Sequence, residues 1–254
     1  MPTPAAAAID VDLWRAELDL DPAQLSAFSS TLSPDEADRS RRFHRDIDRH
    51  RFVAGRGWLR RILGDCLSVD PAVLRFAYDI NGKPRLAGAD NQWLRFNMSH
   101  SDGIALYAVS TECEVGVDVE RVSVDVDVEA LAQGFFSAAE RAELAALPAN
   151  DRTQAFFDCW TRKEAYLKAV GIGLGMPMQD FSVSVRSGGP VELIVPAEGA
   201  VRRWSLYAVD AGTGYAAAVA VEGTHVRVTA VPRHLPAART ARLPRLDDGQ
   251  DRGH

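Results

Sequence analysis

Three short segments carry side chains that chemistry could use. In Gly116-Val117-Asp118-Val119-Glu120 acids alternate with valines. The period of two of an extended strand then puts Asp118 and Glu120 on one face while Val117 and Val119 turn to a core. Two crowded carboxylates repel unless something positive sits between them, and a hard cation with oxygen ligands answers that need. A solvated strand face gives the same alternation, and Asp125 and Asp127 repeat it nearby. The second segment, Trp160 to Lys168, puts Glu164 and Lys168 four residues apart, on one side of a helix, where they act as a unit or form an ordinary surface ion pair. Gly171, Gly173 and Gly175 follow at once and favour close approach to another surface. The third segment is Phe96-Asn97-Met98-Ser99-His100-Ser101. A lone histidine is often a hydrogen-bonded structural residue, but here hydroxyls flank it on both sides. Ser99, His100 and the Lys83 of Asn81-Gly82-Lys83-Pro84 are donors suited to phosphate oxygens.

These residues need elements to hold them. Ser33-Pro34-Asp35-Glu36 reads as a helix start, with serine as N-cap and acids in the first turn. A second helix is expected over Asp46 to Leu67, where Phe52, Leu59, Ile62 and Leu63 recur at spacings of three and four. Extended segments follow near Leu74 to Tyr78 and Leu94 to Ser110, with Asn81-Gly82 as the turn between them. Glu114 to Val119 alternates as a strand, Ser137-Ala-Ala-Glu140 forms a capping box, and Thr153 to Val170 is helical. Strand-like runs at Phe181 to Val185, Trp204 to Val209 and Tyr215 to Val221 complete the order. Helix, helix, strands thus occurs twice, which predicts two similar α+β halves, residues 1–111 and 112–231. Residues 232–254, rich in Arg, Pro, Ala and Asp, are expected to be a disordered tail.

The 254 residues are 46% hydrophobic, ordinary for a globular protein, and the net charge of −6 argues against nucleic acid as a bulk partner. Between Arg39 and Arg61, however, nine arginines face only Asp46 and Asp48. That local potential would suit a small polyanion, and equally a solvated helix face with some stems lining the core. The longest apolar run of the C-terminal half, Tyr215 to Val221, falls far short of the roughly 20 residues that cross a bilayer. The start of the chain lacks a basic leader, and three scattered cysteines form no CxxC pair, so a reduced, cytoplasmic setting is expected.

Taken in order, NGKP at 81–84, FNMSHS at 96–101, GVDVE at 116–120, FFSAAE at 135–140 and WTRKEAYLKAVGIGL at 160–174 resemble the 4'-phosphopantetheinyl transferases of the longer, Sfp-like type. The likeness extends over roughly residues 10 to 222. It implies two halves related by a pseudo-two-fold axis with coenzyme A between them, acting as a monomer on apo acyl or peptidyl carrier proteins, including those of polyketide and nonribosomal peptide synthesis. It also implies roles. Asp118, Glu120 and Glu164 would be ligands of Mg²⁺. Glu164, Lys168 and His100 would be the catalytic set. Ser99, His100 and Lys168 would contact the coenzyme A phosphates. Gly82, Lys83 and Pro84 would lie beside the adenosine 3'-phosphate, with Arg39 and Arg51 as further phosphate contacts. The acidic character of carrier proteins makes the stretch Asp118 to Phe136 either an edge of the docking surface or an acidic connecting loop. Glu36 stands where some relatives have lysine, and Phe52 where some have a smaller polar residue. A different Mg²⁺-dependent phosphoryl transferase would need the same acids, but no GxxxxGK[ST] loop is present. A non-catalytic binder would not need three acids and Lys168 together.

Overall fold

The computed structural model describes residues 8–171, 175–186, 191–194 and 204–231. The expected tail at 232–254 and Gly173 lie outside these. The chain opens with β1 (Ile9–Glu17), two short helices, α1 (Pro22–Ser29) and α2 (Pro34–Ser40), and the long α3 (Asp46–Leu67). Next come a small β2–β3 hairpin (Phe76–Tyr78, Pro84–Leu86) and the strands β4 (Arg95–Ser101) and β5 (Ile104–Ser110). It then runs through the same series again. β6 (Val115–Arg121) leads to α4 (Val128–Phe135), α5 (Ala138–Ala146) and the long α6 (Ala149–Val170). The short pair β7 (Ser182–Val183) and β8 (Leu193–Ile194), then β9 (Trp204–Ala208) and β10 (Tyr215–Glu222), complete it. In the first sheet β5 lies antiparallel between β1 and β4, and in the second β10 lies antiparallel between β6 and β9. The two α+β halves therefore share one topology. A last strand, β11 (Val226–Val231), returns to the first sheet and pairs in parallel with β1.

The repeat extends to side chains. α2 and α5 each open on a capping box, Ser33 with Glu36 and Ser137 with Glu140, and both glutamates are buried. Each meets a cation from the long helix of its own half. Glu36 accepts from Arg56 and Arg60 Nε, both at 2.6 Å, and Glu140 accepts from Lys163 Nζ at 2.7 and 2.8 Å. In each half one of these cations also donates to a carbonyl beyond its helix, Arg60 to Pro71 at 2.9 Å and Lys163 to Phe181 at 2.7 Å. A buried charge is tolerated when it is paired and hydrogen-bonded in this way. Glu36 thus anchors a capping box. Of the arginine-rich stretch, Arg56 and Arg60 turn inward, Arg45 and Arg49 form local pairs with Asp48 and Asp46, and Arg39 is exposed.

Core packing explains why the site forms between the halves. α3 covers one face of the first sheet, with Leu59, Ile62 and Leu63 against Phe96 and Tyr107. α6 covers one face of the second, with Phe156 and Leu167 against Ala218 and Ala220. The other faces share a third cluster, in which Val11, Leu13 and Leu106 meet Val117, Val119 and Val219. Val117 and Val119 thus enter a core, as the alternation requires. β1 is an element that the sequence reading did not anticipate; its Val11 and Leu13 alternate with polar neighbours over too few residues to stand out. α6 also begins at Ala149, earlier than the expected Thr153.

Candidate active site

The carboxylates come together because one glycine lets a helix approach a strand. A Cβ on Gly116 would lie 2.2 Å from the Ala165 carbonyl oxygen and 2.3 Å from the Ala169 nitrogen. Without it, the backbone of α6 sits directly on β6. Glu164 and Lys168, on the flanking turns of that helix, are thereby brought to Asp118, two residues along the same strand face.

The Lys168 ammonium lies 2.6 Å from Asp118 Oδ1 and donates to Ser99 Oγ at 3.0 Å, while Ser99 donates to the same carboxylate oxygen at 2.8 Å. Asp118 is only 2% exposed, and its Oδ2 is buried without any hydrogen-bond partner. Glu120, on the same face, accepts from Ser101 Oγ at 2.8 Å. Burial pushes the Glu164 carboxyl above its usual range, with Asp118 and Glu120 adding to the rise and Lys168 opposing it. Glu120 is raised as well, by burial first and by the charge of Asp118, against the Ser101 hydrogen bond and Lys168. The acids therefore feel one another. Among the described residues no three acidic, histidine or cysteine side chains are closed tightly enough to hold a metal as they stand. A Mg²⁺ ion does not require that, since it keeps waters and takes one or two carboxylates plus substrate phosphates. A buried orphan oxygen, all-oxygen donors and mutual repulsion fit such an ion.

A cleft of about 310 Å³ opens beside these groups, lined by Gly82, Lys83 and Pro84 on one side and Glu164 and Lys168 on the other. Gly82 adopts φ 80°, which permits the tight turn, and Asn81 Nδ2 donates to the Gly171 carbonyl at 2.8 Å, tying the turn to the end of α6. Lys83 lines the cleft, but its ammonium reaches Glu114 at 3.1 Å and the carbonyls of Val115 and Ala169. Burial holds its pKa below the usual lysine value despite Glu114. His100 is exposed at the end of β4, and its pKa is lowered by partial desolvation and by the nearby charges of Lys168 and Arg39. Arg39, which lies over the Phe52 ring at 5.4 Å, thus shares a cationic neighbourhood with His100 and Lys168. Arg51 is engaged elsewhere, by Asp19 at 2.7 and 2.9 Å and by Asp102 at 2.6 Å. A larger hollow of about 490 Å³ lies between β1, β9 and β11, but its charged side chains are only Arg15 and Asp210, and Arg15 is bonded to Ala211 and Glu17.

Gly116, Asn97, Ser101 and Glu114 position this site, although the sequence reading gave them no role in it beyond Ser101 as a hydroxyl beside His100. The alternation Asn97, Ser99, Ser101 is the signal that marks β4 as polar on one face. Gly116 carried none beyond its identity.

Comparison with known proteins agrees with the geometry. The model of the 4'-phosphopantetheinyl transferase superfamily matches residues 114–220, and that of the 4'-phosphopantetheinyl transferase N-terminal region matches residues 18–112. The chain is 40% identical over 216 residues to the 4'-phosphopantetheinyl transferase HetI of Nostoc sp. (strain PCC 7120), covering 84% of this chain and 88% of that one. It is 30% identical over 185 residues to the 4'-phosphopantetheinyl transferase Sfp of Bacillus subtilis (strain 168), covering 73% and 80%. Models that match both halves in turn, together with a relative aligned over nearly the whole length, show that this chain belongs to the 4'-phosphopantetheinyl transferase superfamily.

Proposed function

We propose that the protein transfers the 4'-phosphopantetheine arm of coenzyme A to a serine of an apo carrier protein in a Mg²⁺-dependent reaction, releasing adenosine 3',5'-bisphosphate. The observation that carries this reading is the buried, half-satisfied carboxylate of Asp118, held by Lys168 and Ser99 at the edge of a cleft to which both halves contribute. Asp118, Glu120 and Glu164 would hold the ion. When bound it would neutralise charge on the coenzyme A pyrophosphate.

The protein's own groups account for the remaining needs of phosphoryl transfer, which are mainly positioning and charge stabilisation. Glu164 accepts the proton of the carrier serine as its oxygen attacks the β-phosphorus. This carboxylate, kept ionised by the adjoining ion, is able to accept the proton. The bond from the β-phosphorus to the bridging oxygen breaks, and that oxygen keeps the electron pair on the departing nucleotide. Lys168, one helical turn beyond Glu164 on α6, supplies positive charge to the leaving phosphate. Ser99, His100 and Arg39 contact phosphate oxygens, while Gly82, Lys83 and Pro84 border the nucleotide end. For Arg51, its two aspartate partners make a phosphate contact conditional on their release. The exposed Val124, Leu131 and Phe135 give the stretch Asp118 to Phe136 an apolar surface on which a carrier protein can dock. The cleft is complete within one chain, which supports action as a monomer. No described helix is long and apolar enough to cross a membrane, and Cys66, Cys113 and Cys159 are free thiols, which supports a cytoplasmic setting.

The test is intact-mass spectrometry of a panel of apo carrier domains incubated with the protein, coenzyme A and Mg²⁺. The expected result is one phosphopantetheine added per carrier, abolished by EDTA and by Glu164→Ala. Coenzyme A binding with no mass gain on any carrier would favour a binding module instead.

A further inference from the structure

β4 and β6 are the facing edges of the two sheets, and no hydrogen-bonded ladder joins them. Side chains cross this seam instead. Asn97 Oδ1 accepts the Val117 N–H at 2.9 Å, Ser99 Oγ donates to Asp118, and Ser101 Oγ reaches Glu120. The three lie at alternate positions of one strand, as the pleat demands.

Ser101 differs from the other two in making both kinds of contact on the same partner strand. The Arg121 N–H donates to its Oγ at 3.0 Å, and its own hydroxyl donates to Glu120 Oε2 at 2.8 Å. A backbone amide is only a donor and an ionised carboxylate only an acceptor, so these neighbours assign the single hydroxyl proton to Glu120. One end of the link is fixed main chain and the other is a long, otherwise adaptable side chain. We propose that Ser101 is a positioning residue that clamps the Glu120 carboxylate to the β6 backbone, holding it on the Asp118 face in readiness for Mg²⁺. The inference rests on the metal reading of Asp118, Glu120 and Glu164 given above.

A purely structural role for Ser101 fits the surroundings less well. The interior of the seam is held by the buried Asn97, and its other end by Lys83 with Glu114 and by Asn81 with Gly171. Ser101 is only partly buried and sits at the final position of β4, where the seam runs out. Its loss there removes the restraint on Glu120 more than the contact between halves. Outer groups that orient metal ligands commonly change metal affinity about 10- to 100-fold when removed.

The experiment is titration of Mn²⁺ into the full-length protein with coenzyme A present at a fixed concentration, against a coenzyme A blank, with free Mn²⁺ followed by electron paramagnetic resonance, for wild type, Ser101→Ala, Ser101→Thr and Glu164→Ala. Thermal melting of each variant is recorded alongside. Ser101→Ala is expected to bind Mn²⁺ about 10- to 100-fold more weakly with little change in melting midpoint, and Ser101→Thr, which keeps the hydroxyl, to bind nearly as wild type. Wild-type affinity in Ser101→Ala, or equal weakness in Ser101→Thr, would overturn the positioning role while leaving the metal site intact. Absence of any wild-type Mn²⁺ binding sensitive to Glu164→Ala would overturn the metal reading and this inference with it.

Discussion

Lys168 holds a double position, as partner of a buried carboxylate and, in the mechanism proposed above, as the cation that serves the leaving phosphate. Its ammonium is 2.6 Å from Asp118 Oδ1, and the Asp118 side chain is almost fully enclosed. Lys168→Ala is therefore expected to lower kcat by about 100- to 1,000-fold, the range for loss of one transition-state donor, while coenzyme A binding measured by calorimetry changes far less. Equal losses in both would remove its assignment to the leaving group. Glu36 makes a second residue-level prediction, concerning pH. Burial alone would raise its carboxyl, but Arg56, the Ser33 N–H and Arg60 outweigh that and bring it below the ordinary 4.5. The unfolded chain then takes up the proton more readily than the folded one. Glu36 thus contributes stability above its unfolded pKa and loses it as pH falls through the lower folded value. In Glu36→Gln the melting midpoint should lie below wild type near neutral pH, and the gap should narrow steadily on acidification. A gap that widens in acid would contradict the sign.

At the scale of elements, the contact between α6 and β6 decides whether the acids meet. Gly116→Ala places a methyl group against backbone atoms of Ala165 and Ala169, which have no side-chain freedom with which to yield. Overpacking of this kind costs about 1–3 kcal/mol. The variant should melt lower and lose transfer activity even where it remains folded, since Glu164 and Lys168 ride on the displaced helix. Denaturant unfolding and the carrier mass assay together check this. The capping box of α5 is equally dependent on a long-range partner. Lys163→Met leaves Glu140 charged and buried, and should destabilise by about 3–5 kcal/mol. Adding Glu140→Gln to that variant should recover part of the loss, because the stranded charge is then gone. A double variant no more stable than the single one would show that the pair is not what holds α5 to α6.

For the whole molecule, β11 is the element that breaks the repeat. It comes after the second half yet pairs with β1 of the first, from Ile9 with Val226 to Trp14 with Val231. A chain ended at Glu222 would expose the outer edge of β1 and uncover the shared core near Val226 and Val228. Its melting midpoint should fall by more than about 2 °C, as loss of more than about 1 kcal/mol implies at this size, and it should aggregate more readily. An unchanged midpoint would mean that β11 adds nothing to the first sheet. Much of this architecture is written locally in the chain. The limits of α3, the capping boxes at Ser33 and Ser137, the turn at Asn81-Gly82 and the alternation from Val115 to Val119 follow from spacing and side-chain chemistry within a few residues of each other. So does the placement of Asp118 and Glu120 on one face. β1 and β11 are a different case, because their pairing partners lie at least 87 residues away in sequence, the nearest being Glu17 with Ile104. The same reason hid the destinations of charged groups. Arg56, Arg60 and Lys163 look like surface cations until Glu36 and Glu140 are brought beside them, and Lys83 looks free until Glu114 arrives from the other half. The sequence by itself marked out the residues proposed to hold a cation and move a phosphoryl group; tertiary structure alone decided which of their charges are left for a substrate, because burial and pairing are set by contacts that no local pattern encodes.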